Sequence, residues 1–139
     1  MSEVDELEAI RSKKLEKMME RFSKGREPMG GEVISSPVTI TDTSFDETIR
    51  KHPLVVIDCW AVWCRPCQMI APVVDAMAKD YAGRIVFGKL NVDENPVTSR
   101  QYNIMSIPAL LIFKEGVLVD QIIGAMPRAA LEPRIRKYL

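Results

Sequence analysis

The sequence predicts an α/β fold of three layers, in which helices cover both faces of a central mixed sheet of four to five strands. From residue 38 onwards, short apolar segments typical of strands alternate with segments of helical periodicity, as in α/β proteins. The last two strand-like segments flank Lys114-Glu115-Gly116 and predict a hairpin. With 139 residues, 47% of them hydrophobic, the chain can bury the core of one such domain.

The strands and helices of this fold can be placed in chain order. Strand 54–60 is apolar on both faces, so both faces should be covered. Helix 64–81 keeps its apolar residues at helical spacing, and Pro72 should kink it. The full set is a strand over 38–40, a helix capped by Asp42 or Thr43 and running to Lys51, strand 54–60, helix 64–81, strand 85–90, a short helix over 95–102, strands 109–113 and 117–123, and a helix over 127–138.

Residues 1–37 differ from the rest of the chain, and we interpret them as an extension of a domain formed by residues 38–139. An amphipathic helix is predicted over about 3–24, with a capping box that begins at Ser2 and a stop at Gly25. A linker rich in Gly, Ser and Pro follows it. This helix either docks the domain onto a partner or is an appendage with no separate function, since isolated helices of this length are only marginally stable.

Composition and charge argue against several classes of protein. Lys plus Arg and Asp plus Glu number 19 each, so the formal net charge is zero and no strongly basic balance points to nucleic acid. No apolar run approaches the roughly 20 residues that a membrane-spanning helix needs. The N-terminus lacks the basic and apolar segments of a secretory signal, so we expect a cytoplasmic protein.

The three cysteines, Cys59, Cys64 and Cys67, are too few and too clustered for a structural disulfide framework. Cys64 and Cys67 lie at a helix start on one face, so a disulfide between them can open and close with little backbone movement. The helix N-terminus favours a Cys64 thiolate. Pro66 suits the first turn, because the N–H that proline lacks would be unpaired there. Cys67 should be less exposed and would resolve a mixed disulfide.

Two other interpretations of the Cys64–Cys67 pair remain open from the residues alone. Zinc prefers four ligands, and only Cys59 and His52 are left to complete such a site. Side chains alternate along a strand, so Cys59 should point away from Asp58. The pair could also be buried and inert. Redox chemistry is the interpretation that we favour, and it requires no metal.

Four separated segments of the chain resemble the thioredoxin family, in the family's order and spacing. They are residues 56–72, which contain Trp63-Cys64-Arg65-Pro66-Cys67, and residues 89–93, 106–109 and 119–124. The resemblance extends over about residues 38–139 and leaves out residues 1–37. It implies the thioredoxin fold, which is one form of the three-layer α/β arrangement predicted above.

The resemblance implies a role for each matching residue of an exchange site. Cys64 would attack the substrate disulfide, and Cys67 would attack the mixed disulfide and release the reduced substrate. Asp58 would take the proton from Cys67. The position of Asp58 in the sequence supports the same role, since a carboxylate in a buried strand should be desolvated and its pKa should be raised. Lys89 would neighbour Asp58 and tune it, and Pro108 would be a cis-proline that faces the disulfide.

The resemblance also implies a flat apolar surface on which substrate proteins dock, with Trp60 packed beside the cysteines. Taken alone, an apolar residue of this kind is more often part of a protein core than of a contact surface, so this role rests on the resemblance. The residues of this docking surface would be Trp63, Ile107, Pro108, Gly124 and Ala125.

The main departure from the family pattern is Arg65, at a position where thioredoxins commonly have glycine. A cation here should favour the Cys64 thiolate, raise the reduction potential and favour acidic partners. With Pro66 and Pro108, Arg65 completes the set of residues expected to tune the redox chemistry. Cys59 stands where the family usually has an aromatic residue, and we expect it to be a buried inert thiol.

The leading functional hypothesis is a thiol–disulfide oxidoreductase that reduces protein disulfides by dithiol–disulfide exchange. We expect a monomer that uses no cofactor beyond its own redox-active disulfide and binds no metal, nucleic acid or membrane. Its partners would be disulfide-containing substrate proteins and a thioredoxin reductase. Two alternatives remain: a more oxidising disulfide oxidase or isomerase, suggested by Arg65, and a binding module docked through its N-terminal helix.

Overall fold

The computed structural model describes residues 33–139. The helix predicted over about 3–24 lies outside these residues, and the division of the chain at residue 38 stays a prediction. Within 33–139, no helix is both long enough and apolar enough to cross a membrane.

Strands and helices alternate along residues 33–139 as the sequence predicts. Strands β2 and β5 have the predicted bounds, and each of the other elements differs from prediction by a residue or two at one or both ends, which is usual at frayed ends. The elements are β1 (Val38–Thr39), α1 (Phe45–Lys51), β2 (Leu54–Trp60), α2 (Arg65–Asp80), β3 (Val86–Asn91), α3 (Pro96–Gln101), β4 (Ala109–Lys114), β5 (Val117–Ile123) and α4 (Arg128–Arg136).

The five strands form one mixed sheet in the order β1-β3-β2-β4-β5. Strand β3 is parallel to both β1 and β2, while β4 is antiparallel to β2 and β5. Parallel neighbours require crossover connections, and α1 and α2 lie in those connections. The sheet places β2 at its centre, and Asp58 on β2 is the register partner of Lys89 on β3.

Two apolar cores cover the two faces of the sheet and confirm the three-layer α/β prediction. Side chains of β2 alternate between them: Val56 belongs to the core beneath α2 and α4, while Val55, Ile57 and Cys59 belong to the core beneath α1. Because both faces are covered, residues 54–59 are all buried, which explains why this strand is apolar apart from Asp58.

The cap predicted for the first helix is wrong. Ser44 is the N-cap of α1, one or two residues later than expected. The carboxylate of Asp42 instead accepts hydrogen bonds from the backbone N–H groups of Val97 (3.2 Å) and Thr98 (2.8 Å), in the first turn of α3. Asp42 therefore caps a helix that lies more than 50 residues away, and the Asn95 side chain accepts the Asp42 N–H in return (2.9 Å).

The hairpin between β4 and β5 turns at Glu115 and Gly116. Both residues have positive φ, 51° and 80°, as a two-residue turn between twisted antiparallel strands requires. Glycine adopts this conformation without steric cost, so Gly116 explains where the turn forms. The hairpin brings β5 to the edge of the sheet and carries its C-terminal end back towards the cysteines.

Candidate functional site

Cys64 and Cys67 form a disulfide at the point where the chain enters α2. Cys64 is the N-cap of α2, and the backbone N–H of Cys67 donates a hydrogen bond to Cys64 Sγ (3.2 Å). The two Cα atoms are 5.3 Å apart, a separation typical of disulfides. Pro66 lies in the first turn, where its missing N–H leaves no gap in the helical hydrogen bonding. The same geometry would stabilise negative charge on Cys64 Sγ once the disulfide opens.

The two cysteines are equally buried, so the expectation that Cys67 is less exposed than Cys64 is wrong. Each retains 3% of its accessible surface. They pack with Ala61, and Trp60 and Ile107 cover them from the end of β2 and from the loop before β4. Cover from several segments shields both sulfur atoms alike, although only Cys67 lies inside the helix.

Asp58 lies in the central strand with almost no exposed surface (1%). Neither of its carboxylate oxygens has a hydrogen-bond partner among residues 33–139. This burial raises the pKa of Asp58 from 3.8 to about 6, although the Lys89 charge lowers it and the Asp75 charge raises it further. The aspartate therefore titrates within reach of neutral pH, where it can both accept and release a proton.

One cavity of about 110 Å³ joins Asp58 to the second cysteine. Its volume is several times what a single water molecule occupies, and the carboxylate supplies polar atoms that water could bind. Lys89 also lines the cavity, with its ammonium 5.5 Å from the centre of the Trp60 ring. The lining residues are Asp58, Trp60, Cys67, Gln68, Ala71 and Lys89.

The predicted docking residues lie in the segments that flank the disulfide. The Ile107–Pro108 peptide bond is cis, and the Pro108 carbonyl accepts a hydrogen bond from the Gly124 N–H (2.8 Å). This bond joins the loop before β4 to the turn after β5, where Ala125 is exposed. Trp63, immediately before Cys64, is 68% exposed. An exposed indole beside a disulfide is an unusual surface feature, because large aromatic side chains are mostly buried.

Trp63 has a partner that the sequence did not reveal. Its indole Nε1–H donates a 2.7 Å hydrogen bond to the Asp93 carboxylate, which lies in the turn after β3. The bond fixes the orientation of an otherwise exposed ring. The only signal in the sequence was that Asp93 belongs to one of the segments that resemble the family.

The structure separates Cys59 from the other two cysteines. Its side chain lies in the core beneath α1, on the face of the sheet opposite to Asp58, as strand alternation predicts. Burial raises the pKa of the Cys59 thiol to about 12, and the Asp58 charge contributes to the same shift. Among residues 33–139, no three His, Cys, Asp or Glu side chains cluster as metal ligands.

A second cavity of about 270 Å³, which sequence reasoning missed, adjoins Ala125. It lies between α2 and the segment that connects β5 to α4. Its lining residues are Met69, Ile70, Val73, Ala125, Met126 and Pro127. The spacing of Met69 and Val73, four residues apart on α2, was the available signal, but it was indistinguishable from an ordinary buried helix face.

Comparison with known proteins gives one family. The family model that matches is Thioredoxin, over residues 36–137. The chain is 47% identical over 107 residues to "Thioredoxin" of Synechocystis sp., with 76% of this chain and all of that protein covered. It is 46% identical over 109 residues to "Thioredoxin M-type, chloroplastic" of Pisum sativum, with 78% of this chain covered and 63% of the pea protein spanned.

Solved structures show the same likeness. A mutant thioredoxin from Halobacterium salinarum superimposes with a TM-score of 0.72 at 30% identity, over 77% of this chain and 94% of that chain. A thioredoxin of Plasmodium falciparum superimposes with a TM-score of 0.69 at 37% identity, over 73% of this chain and 99% of that chain.

Proposed function

This chain belongs to the thioredoxin family and is a thiol–disulfide oxidoreductase, and we propose that Cys64 and Cys67 divide its exchange cycle between them. The observation that carries the proposal is the disulfide at the N-terminus of α2, with Cys64 Sγ accepting the Cys67 N–H. A sulfur atom in this position is stabilised as a thiolate by that N–H and by the helix dipole.

In the proposed cycle, the Cys64 thiolate attacks one sulfur of a substrate disulfide. The substrate S–S bond breaks, a Cys64–substrate disulfide forms, and the other substrate sulfur leaves as a thiolate. The Cys67 thiolate then attacks Cys64 Sγ, which releases the second substrate thiolate and forms the Cys64–Cys67 disulfide. Two electrons pass from the protein to the substrate, which takes up two protons to become a dithiol.

Asp58 is the proposed acceptor of the Cys67 proton. The cavity that both residues line gives a route for that proton, directly or through water. A pKa of about 6 leaves most of the carboxyl groups ionised at pH 7 and still basic enough to accept a proton. The Lys89 charge is the proposed tuning group, since it opposes the effect of burial on the Asp58 pKa.

The proposed docking surface lies around the disulfide, where Pro108 is buried and its other members are exposed or half-buried. Substrate backbone would lie along the Ile107–Pro108 segment, whose Pro108 carbonyl is already bonded to Gly124. Trp63 and Ala125 would contact the substrate on either side. Arg65 adds one exposed positive charge to this surface and, with Pro66, lies between the two cysteines.

We further propose that the reduced state is regenerated by a thioredoxin reductase and that the Cys64–Cys67 disulfide is the only redox group required. A monomer that works in the cytoplasm on disulfide-containing proteins is the simplest arrangement consistent with this chemistry. The family membership and the named relatives favour a reductase over an oxidase, an isomerase or a binding module.

Insulin reduction in the presence of a dithiol tests the division of roles. Wild type should precipitate insulin chains many-fold faster than the dithiol alone, and Cys64→Ser should be inactive. Reduced Cys67→Ser, mixed with insulin after the dithiol is removed, should still attack and should accumulate a covalent Cys64–substrate disulfide that mass spectrometry detects. Cys59→Ser is the matched control and should behave as wild type. Activity retained in Cys64→Ser, or a covalent adduct trapped on Cys67 instead, would contradict the assignment.

A further inference from the structure

The cavity between α2 and the β5–α4 segment has no role in the exchange chemistry. Its floor is the buried core residue Ile70, and its walls include Met69 and Met126. At about 270 Å³ it is smaller than sites for drug-sized ligands, which begin at about 300 Å³, and far larger than one water molecule. Its size and apolar lining therefore suit a single large apolar side chain.

The cavity is continuous with the proposed docking surface. Ala125 lines the cavity and also belongs to that surface, one residue after Gly124. Met69 lies two residues beyond Cys67 on α2. A substrate chain that crosses the disulfide therefore passes the mouth of the cavity within a few residues. Flexible methionine walls can adapt to aromatic or branched aliphatic side chains.

The face of α2 that lines the cavity carries a positive charge at its end nearest the disulfide. Arg65, Met69 and Val73 follow one another at intervals of four residues, so they form a row about 12 Å long on α2. Within residues 33–139, Arg65 forms no salt bridge, whereas Arg128 and Arg134 each bind a carboxylate. An exposed arginine beside an apolar cavity is complementary to a segment that carries a carboxylate beside a large apolar residue.

We propose that this cavity is a specificity pocket for substrate proteins, and that it takes a large apolar side chain near the substrate cysteine while Arg65 binds a neighbouring carboxylate. This inference rests on the proposed function, because it assigns the substrate class of the same exchange site. It predicts that disulfides flanked by an apolar and an acidic residue are reduced faster than disulfides flanked by alanine or lysine.

The test uses fluorescence-quenched disulfide peptides and the reduced full chain. Phe or Ala is placed in turn at each of three positions on either side of the peptide cysteine. At the best position, wild type should reduce the Phe peptide about tenfold faster than the Ala peptide, as measured by kcat/KM. Val73→Trp, which fills the cavity, should lower that ratio to about one. Val97→Trp makes the same change on the exposed surface of α3 and should leave the ratio unchanged.

A second variant tests the pocket independently, in case Val73→Trp does not fold. Met69→Glu places a charge at the cavity wall on a side chain that is 70% exposed, and it should also reduce the Phe-over-Ala ratio. For Arg65, a peptide with Glu should be preferred over one with Lys about threefold at low salt, and the preference should vanish in Arg65→Gln and at high salt. Because these readouts are ratios, a changed reactivity of Cys64 cancels from them.

Equal rates for the Phe and Ala peptides at every position would overturn the pocket and leave the exchange reaction intact. Loss of the ratio in Val97→Trp as well as in Val73→Trp would also overturn it. If light scattering shows a dimer that Val73→Trp dissociates with the ratio unchanged, the cavity is a contact between copies and the proposal is wrong. Failure of wild type to reduce either peptide would instead remove the proposed function on which the pocket rests.

Discussion

Asp58 and Lys89 are register partners on adjacent parallel strands, yet the lysine ammonium lies over the Trp60 ring and the carboxylate is left without a hydrogen bond among the described residues. The positive charge is near enough to lower the Asp58 pKa, but burial outweighs it and the pKa settles at about 6. A carboxylate that is buried and unpaired costs folding free energy when it is ionised. It persists beside the cavity that it lines together with Cys67, the cysteine whose proton we propose that it accepts.

Asp58→Asn should stabilise the oxidised protein at neutral pH. The Asp58 pKa is about 6 in the folded protein and near 3.8 when unfolded, so wild-type stability should fall as pH rises between these values. Above pH 7 the variant should gain about 3 kcal/mol in the free energy of unfolding, and below pH 3.5 it should gain almost nothing. Guanidinium unfolding at pH 3.5 and pH 8 measures this difference.

The control for this experiment is Glu47→Gln, since Glu47 is exposed on α1 and its replacement removes the same charge without relieving a buried carboxylate. A gain in Asp58→Asn of the same size at both pH values would mean that the ionised carboxylate is not the source of the instability. The Asp58 variant should at the same time resolve the mixed disulfide more slowly, because it has lost the proposed proton acceptor.

Lys89→Gln should raise the pKa of Asp58 above its wild-type value of about 6, because the substitution removes the positive charge that lowers it. The pH at which resolution by Cys67 becomes half-maximal should move upwards with it. Titration of the Asp58 carboxyl carbon by NMR checks the first statement, and stopped-flow kinetics checks the second. Lys79→Gln, on the exposed surface of α2, should shift neither value. A downward shift in Lys89→Gln would refute the assigned electrostatics.

Arg65→Gln should make the protein more reducing. Removal of a cation next to Cys64 destabilises the thiolate of the reduced form and should lower the reduction potential by about 10–20 mV. Equilibration with glutathione buffers, followed by quantitation of the oxidised fraction, measures the change. Arg100→Gln removes an exposed arginine from α3 and should leave the potential unaltered. An unchanged potential in Arg65→Gln would show that solvent screens this charge completely.

The Cys59 thiol should not react with thiol reagents in the native oxidised protein. The chain has three cysteines and two of them form the disulfide, so one thiol remains. Because that thiol is fully buried and its pKa is raised to about 12, Ellman's reagent should detect almost no thiol in native protein and one per chain in denaturant. Rapid labelling of the native oxidised protein would contradict this burial, and Cys59→Ser supplies the baseline.

Local patterns in the sequence were sufficient for most elements of the fold. Strand β5 was predicted with its observed bounds, since its turn signal and strand pattern both lie within a few residues. The capping role of Asp42 was not predicted, because its partners Val97 and Thr98 are 55 and 56 residues away. The sequence does not indicate which distant backbone N–H groups a carboxylate will bind, because folding brings those groups together.

The candidate site, too, could be predicted from the sequence only in part. Its chemistry follows from residue types: two cysteines at a helix start and a carboxylate in an apolar strand. The degree of burial does not, because Cys64 is covered by Trp60, Val92 and Ile107, which come from three separate segments. The second cavity was hidden for a related reason. Met126 comes from a connecting segment, and no periodic pattern indicates which helix such a segment will pack against.

On the proposed docking surface, the hydrogen bond from Trp63 to Asp93 bears on how tightly a partner associates. Immobilising a side chain on binding costs about 0.5–1.5 kcal/mol in lost rotamer freedom. The indole is held before any partner arrives, so that entropy has already been given up during folding. Loss of the Asp93 carboxylate should therefore weaken association through Trp63 without removing any atom of the indole itself.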